Sequence, residues 1–204
     1  MREGVRLFAP QVGEIDRREV LRYMGDRKPN AETVAFMEEA IFLAHDAFSY
    51  RACAKEFPIT VDGTRVDLGF AIVESADLAK VCAGCESVIL FAATVGVAID
   101  RLIARYSRIS PIRALSLQGL GSERIEALCN ALCEELAREY EQKGFSLRPR
   151  FSAGYGDLPL TLQRDIFEAL DCARSIGLTL CDSLLMSPTK SVTAIVGVAR
   201  KEDG

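Results

Sequence analysis

Residues 111–140 read PIRALSLQGLGSERIEALCNALCEELAREY and carry the longest helical pattern in the sequence. Pro111 fits the first turn of a helix, and Gly144 marks its end. Between them, apolar residues recur at three- and four-residue steps on one face: Ile125, Leu128, Leu132, Leu136 and Tyr140. The pattern predicts one long central helix that packs on a core.

Shorter elements are predicted on both sides of this helix. Upstream they are a helix over 31–48 capped by Asn30, a hairpin turning at Asp62-Gly63 between 57 and 68, a helix capped by Ser75 that ends near Gly84, a strand over 87–93 and a helix over 98–106. Downstream they are a loop over 148–158, a helix over 159–173 opened by Pro159, and extended segments over 178–186 and 191–198. Since helices and strands do not repeat as regular βαβ units, the sequence predicts the α+β class. We expect a single domain over 1–204 with a central, largely antiparallel sheet, a hairpin and several flanking helices.

Composition excludes some functional classes. The 204 residues, 49% of them hydrophobic, suit one medium domain, and a net charge of -4 lacks the basic excess of nucleic-acid-binding proteins. The longest apolar run, 88–99, is too short to span a bilayer. The N-terminus has no secretory signal, and seven cysteines among apolar neighbours suit a reducing compartment, so we predict a cytoplasmic protein with mostly free thiols.

The stretch Arg150-Phe-Ser-Ala-Gly-Tyr-Gly-Asp-Leu-Pro159 is typical of a small-ligand loop. Small residues let a ligand meet the backbone, an arginine fork holds a carboxylate, and a tyrosine ring packs against an adenine or shields a sulfonium. S-adenosylmethionine carries all three of these groups. The alternative is an ordinary glycine-rich connection whose arginine pairs with a nearby Asp and whose tyrosine packs on the core.

Cysteine and histidine offer further candidates. Cys82-x-x-Cys85, with Cys129 and Cys133, supplies enough thiolates for a metal or iron-sulfur site, although the second pair has the spacing of small residues packed on a helix. Redox chemistry at Cys82 and Cys85 is a further alternative. The only histidine, His45, is predicted to be a partly buried structural residue rather than a cobalamin ligand.

Several separated motifs resemble the reactivation domain of cobalamin-dependent methionine synthase. Arg150-x-x-x-Gly154-Tyr155 is similar to the loop with which that family holds S-adenosylmethionine. Leu185-Met186-Ser187-Pro188 and Ser191-Val192-Thr193 are similar to its Met-x-Pro and Ser-Val-Ser segments. Ala92-Ala93-Thr94-Val95-Gly96 also follows the family's order of elements. The resemblance covers 88–198, whereas residues 1–85, with a helix and the hairpin, show none.

The resemblance implies a function and a set of site residues. Arg150 would bind the ligand carboxylate, Ser152 and Gly154 would meet the ligand through the loop backbone, and Tyr155 would pack near the adenosyl part. Glu126 matches a helical glutamate that contacts the ligand, with Glu123, one turn away, as the other choice. The cobalamin would be held by a partner protein, and the chain would contribute to its reductive methylation.

The implied partners are a cobalamin-binding methionine synthase core or related corrinoid protein and a flavodoxin-like or other electron donor. We expect the chain to act in trans, since nothing in it resembles homocysteine, folate or cobalamin modules. Whether it is an enzyme by itself is open. The chain departs from the family at Gly156-Asp157-Leu158-Pro159, and no acidic residue from the N-terminal segment matches the family's. An S-adenosylmethionine sensor or corrinoid-docking module, and a thiol redox carrier, are the alternative functions.

Overall fold

A computed structural model describes residues 4–26 and 28–201 of the chain. Its helices and smaller sheets lie around one five-stranded sheet. The strands are β1 (Arg6–Phe8), β2 (Arg51–Pro58), β3 (Thr60–Asp62), β4 (Arg65–Asp67), β5 (Ile72–Glu74), β6 (Cys85–Thr94), β7 (Phe145–Leu147), β8 (Thr179–Leu180), β9 (Met186–Ser187) and β10 (Ser191–Arg200). The helices are α1 (Arg17–Tyr23), α2 (Ala31–Leu43), α3 (Ala76–Val81), α4 (Ala98–Tyr106), α5 (Pro111–Glu141), α6 (Gln163–Leu170) and α7 (Cys172–Ile176), with a 3₁₀ turn at Leu160–Leu162. The α+β class with an antiparallel sheet is confirmed.

The main sheet has the order β1-β2-β6-β10-β7, and every neighbouring pair is antiparallel. Strand β6 lies at its centre, where Thr94 is in register with Arg51 on one side and with Ser191 on the other. The apolar run 88–99 is therefore an inner strand followed by the start of α4, buried on both faces. No helix in residues 4–26 and 28–201 is long and apolar enough to cross a membrane.

Two hydrophobic layers cover the two faces of this sheet. On one face, Phe91 and Val196 pack with the buried side of α5, together with α1, α2 and α4. On the other face, Leu90 and Ile195 pack with α3, α6, α7 and the small β3-β4-β5 sheet. Successive side chains of β6 and β10 pack into opposite layers, because side chains alternate between the two faces of a strand. The sheet is thus a shared wall between two cores.

Helix α5 organises the first layer. Its predicted apolar face is confirmed, since Leu128, Leu132, Leu136 and their partners at 125 and 140 are all buried. Helix α1 crosses it at Gly119, where an added Cβ would lie 2.8 Å from Met24 Cγ and 3.0 Å from the Val20 carbonyl oxygen. A residue without a side chain is needed for this approach.

The predicted caps are confirmed, and two predicted boundaries are not. Asn30 accepts a hydrogen bond from Thr33 N at 2.8 Å, and Ser75 accepts one from Leu78 N at 3.0 Å. The helix after Asn30 ends at Leu43 instead of 48, because Ser49 N donates to the Val95 carbonyl and the chain turns into β2. The hairpin turn uses residues 63 and 64, one position later than predicted, since Asp62 pairs with Arg65.

The region after the predicted ligand loop is more broken than the sequence indicates. The helix predicted over 159–173 begins with the 3₁₀ turn and divides at Asp171, whose φ of +48° separates α6 from α7. Asp tolerates this left-handed conformation better than most residues. The segment predicted as extended over 178–186 contains only β8 and the first residue of β9, joined by a turn. Residues 1–3 and 202–204 of the predicted domain lie outside the described residues.

Candidate functional site

The loop predicted over 148–158, which contains most of the predicted ligand stretch 150–159 and is called the ligand loop below, follows β7 and runs along the outer side of β10. Phe151 forms a bridge with Ile195, and Ser152 Oγ donates to the Thr193 carbonyl at 2.8 Å. The loop then closes on itself, because Gly154 N donates to the Leu158 carbonyl at 2.9 Å. Gly154 has a φ of +91°, which favours glycine at this turn.

Arg150 reaches from the loop to helix α5. Its Nη2 donates to Glu126 Oε2 at 3.1 Å and to Asn130 Oδ1 at 3.0 Å. The Arg150 side chain is only 27% exposed. Its pKa is raised: burial acts to lower it, and the neighbouring Cys129 thiol and Glu126 carboxylate outweigh that effect. The guanidinium is a fixed cation that faces one carboxylate across the cleft floor.

Four predicted residues line one cleft of about 300 Å³: Glu126, Arg150, Ser152 and Tyr155, together with Phe151 and Val192. Gly154 lies in the same loop and sets its shape. Tyr155 is 70% exposed, so the alternative in which its ring packs on the core is wrong. The partner of Arg150 is a glutamate on a different element rather than a nearby Asp. The structure therefore gathers a cation, a carboxylate and an open aromatic ring around one space.

Burial distinguishes the two candidate glutamates of α5, Glu123 and Glu126. Glu123 is 4% exposed and forms a buried pair with Arg124, whose Nε lies 2.5 Å from Glu123 Oε2. The Glu126 side chain is 41% exposed and points to Arg150. Glu126, and not Glu123, is available to a ligand in the Arg150 cleft.

A second cleft of about 450 Å³ adjoins the first and shares Glu126 with it. Its other wall is the segment before α1 and the first turns of that helix. Its exposed or partly exposed carboxylates come from both walls: Glu14, Asp16, Glu19, Glu126 and Glu134. We call this space the acidic cleft. Sequence reasoning found no N-terminal acidic residue for the site, because only the folded chain places Glu14 near α5.

Hydrogen bonds from Ser75 and Ala76 to Asp157 hold the ligand loop to helix α3. We call this connection, which was not predicted, the latch. Asp157 Oδ2 accepts a hydrogen bond from Ala76 N at 2.6 Å, and Asp157 also accepts one from Ser75 Oγ. The pKa of Asp157 is lowered by the Ser75 hydroxyl and by the N–H groups at the start of α3. At Gly156, with a φ of +53°, an added Cβ would lie 2.1 Å from Asp77 Oδ2. Gly156 and Asp157, where the sequence departs from the family, thus connect the loop to the N-terminal part of the chain.

The cysteine candidates are not gathered into one site. Cys82 and Cys85 lie near Arg148, whereas Cys129 and Cys133 lie on α5 beside Arg150. Within residues 4–26 and 28–201, no three His, Cys, Asp or Glu side chains are arranged to hold a metal ion. Burial raises the pKa of Cys82 to about 12, which opposes the lowered thiol pKa that redox reactivity needs.

His45 differs from its prediction. It is exposed at the end of α2, where its Nε2 lies 2.8 Å from Asp46 Oδ2. The prediction of a partly buried structural residue is wrong, because the helix ends at Leu43 and residues 44–46 form a turn at the surface. His45 does not line the Arg150 cleft.

The fold can be compared with solved structures. The chain is similar to the crystal structure of the MetH reactivation domain bound to AdoHcy, with a TM-score of 0.64 and 16% sequence identity. The match covers 90% of this chain and 70% of that one. No protein-family model and no curated protein sequence gives a match. At this identity the similarity concerns the backbone, and the fold of this chain is that of the methionine synthase reactivation domain.

Proposed function

We propose that this chain binds S-adenosylmethionine between Arg150, Glu126 and Tyr155, and that it serves the reductive methylation of cobalamin held by a separate methionine synthase core. The observation that carries the proposal is the Arg150–Glu126 pair, 3.1 Å apart in a cleft bordered by an open tyrosine ring. The similar domain, whose crystal structure contains AdoHcy, supports the choice of ligand.

The pair matches the amino-acid end of the ligand in charge. The ligand carboxylate would replace Glu126 on the Arg150 fork, since an arginine binds a carboxylate through two parallel charge-assisted hydrogen bonds. The ligand ammonium would then lie near the released Glu126 and the acidic cleft, where Glu14 and Glu134 add negative charge. One ion pair within the protein would be exchanged for two with the ligand, so neither charge is left unpaired.

Tyr155 is placed to bind the rest of the ligand. Its ring is 70% exposed at the mouth of the cleft, which leaves a face open to an adenine or a sulfonium. Ser152 holds the loop close to β10 and Gly154 closes the loop on itself, so the ligand would meet backbone as well as side chains. Bound S-adenosylmethionine supplies the methyl group, and the protein supplies binding and orientation.

A reactivation assay tests this function. Cob(II)alamin on a methionine synthase core would be mixed with the chain, S-adenosylmethionine and a one-electron donor such as flavodoxin. The balanced reaction joins cob(II)alamin, one electron and the ligand's methyl group to give methylcobalamin and S-adenosylhomocysteine. We expect methylcobalamin, followed by its absorbance, to form only when the chain is present.

Arg150→Ala and Arg113→Ala form a matched pair for this assay. Both arginines pair with a glutamate on a helix, but Arg113 pairs with Glu39 at 2.8 Å, far along α5 from the loop. We expect Arg150→Ala to abolish methylcobalamin recovery and Arg113→Ala to leave it intact. Binding of S-adenosylmethionine without any recovery would favour a sensor, the alternative function, over a reactivation protein.

A further inference from the structure

The ion pair Arg124–Glu123 is almost completely buried, with exposures of 3% and 4%. Three of its remaining hydrogen bonds go to one segment of chain before α1, and a further one joins Arg124 to the Tyr50 hydroxyl. Arg124 Nη1 donates to the Gly13 carbonyl at 2.8 Å and Nη2 donates to the Glu14 carbonyl at 2.9 Å. Asp16 N donates to Glu123 Oε1 at 3.1 Å. The pair therefore ties residues 13–16 to α5 at three points.

Removing two charges from water is costly, and a buried pair offsets that cost only with good geometry and satisfied hydrogen bonds. An apolar pair at positions 123 and 124 would fill the same space without this cost. What an apolar pair does not provide is donors and acceptors for the backbone of residues 13–16. The specific property of the Arg124–Glu123 pair is thus the position that it gives to this segment.

The position matters because residues 13–16 form one wall of the acidic cleft, opposite Glu126. Asp16 also caps α1 by accepting a hydrogen bond from Arg18 N at 2.9 Å. Holding Asp16 therefore fixes both the start of α1 and the placement of Glu14. Glu123 and Arg124 lie within one turn of Glu126 on the same helix, so the wall and the ligand contact share one rigid support.

We propose that Arg124 and Glu123 are positioning residues for the ligand site, which hold residues 13–16 as the acidic wall that receives the cationic end of the ligand. This inference rests on the proposed function. It assigns no direct ligand contact to either residue. The buried pair holds the acidic wall in place, and the affinity for the ligand therefore depends on the pair as well as on the wall.

A double variant, Glu123→Leu/Arg124→Met, tests the inference, because apolar replacement of a buried pair often preserves folding. The matched control is Glu39→Leu/Arg113→Met, which removes the Arg–Glu pair between α5 and α2. Hydrogen exchange of the Asp16 amide reports the wall directly, since this N–H donates to Glu123. We expect faster exchange at Asp16 in the first variant and no change in the control.

Titration calorimetry supplies the second measurement, with S-adenosylmethionine and with methylthioadenosine, which lacks the amino-acid end. We expect the first variant to bind S-adenosylmethionine about tenfold more weakly, as for the loss of one charge-assisted contact, and methylthioadenosine with unchanged affinity. If the first variant loses affinity equally for both ligands, the defect is a general structural one and the inference is overturned. Unchanged exchange at Asp16 would also overturn it.

Arg124→Lys covers the case in which the double variant does not fold. Lysine keeps the charge beside Glu123 but lacks the fork that bonds two carbonyl groups. The same faster exchange and the same selective loss of affinity are expected. If the unmodified protein binds neither ligand, the proposed function fails and the inference loses its ligand. Exchange at Asp16 then still decides whether the pair holds the wall.

Discussion

Asp157 caps a helix that begins 81 residues before it in the sequence: its Oδ2 accepts a hydrogen bond from Ala76 N at 2.6 Å. Helix N-termini leave backbone N–H groups without partners, and Asp157 accepts hydrogen bonds from two of those of α3, at Ala76 and Asp77, from within the ligand loop. The loop that carries Arg150 and Tyr155 is therefore held by residues 75–77. This relationship gives the N-terminal part of the chain a role in shaping the site.

Asp157→Ala is expected to lower the free energy of unfolding. It is also expected to weaken the binding of S-adenosylmethionine about threefold to tenfold, because a loosened loop must be ordered on binding. Thermal unfolding and calorimetry measure the two effects. Asp182→Ala, at an exposed position in the turn between β8 and β9, is the control. The latch has no role in binding if both variants retain the affinity of the unmodified protein.

The capping contribution of Asp157 is also expected to depend on pH. Its pKa is lowered in the folded protein, so its contribution is fully present above the ordinary aspartate pKa of about 4. The contribution is lost as the pH falls through the lower folded value. Comparing the unmodified protein with Asp157→Asn between pH 7 and pH 3 measures this difference. A stability difference that does not shrink toward pH 3 contradicts the assignment.

Gly119→Ala is expected to destabilise the protein by about 1–3 kcal/mol through overpacking. Its Cβ would lie 3.0 Å from the Val20 carbonyl oxygen, so α1 and α5 must move apart. Gly121→Ala is the control, because the three atoms nearest to its added Cβ would belong to the flexible side chain of Lys190, and alanine favours the helix by about 1 kcal/mol. Denaturant unfolding of both variants is the measurement, and equal stabilities would refute the close packing at Gly119.

Thiol labelling tests the position of the cysteines. Burial raises the pKa of both Cys82 and Cys129 to about 12, so few thiolates form at neutral pH, whereas Cys181 is exposed. With iodoacetamide at pH 7.5, we expect mass spectrometry to find Cys181 modified first and the other two protected until unfolding. Rapid labelling of Cys82 in the native protein would revive the redox-carrier alternative.

Local patterns predicted much of the fold. Asn30 and Ser75 cap helices as predicted, and the spacing from Ile125 to Tyr140 identified the buried face of α5, since both signals act within a few residues. The early end of α2 depends on a distant segment, because Ser49 N donates to the Val95 carbonyl, and no local pattern records this contact. The left-handed break at Asp171 was also not predicted.

The site was predictable only in part. The motif around Arg150 and Tyr155 indicated a loop, and Glu126 does lie opposite it. Three contacts were not predicted, because each joins residues far apart in sequence. They are the bond of Arg150 to Asn130, the latch at Asp157 and the bonds of Arg124 to the segment before α1. An arginine next to a glutamate on a helix is typical of a solvated face, and burial of Arg124 follows only from the path of residues 13–16.

Calorimetric titration of S-adenosylmethionine into the purified protein measures ligand binding at Arg150. We predict saturable binding that Arg150→Ala weakens about tenfold to a hundredfold, since hydrogen bonds to charged groups contribute about 1.5–3 kcal/mol. Arg113→Ala and Cys82→Ala should bind as the unmodified protein does. Equal affinities for Arg150→Ala and the two controls, or no binding by the unmodified protein, would rule out an S-adenosylmethionine site at Arg150.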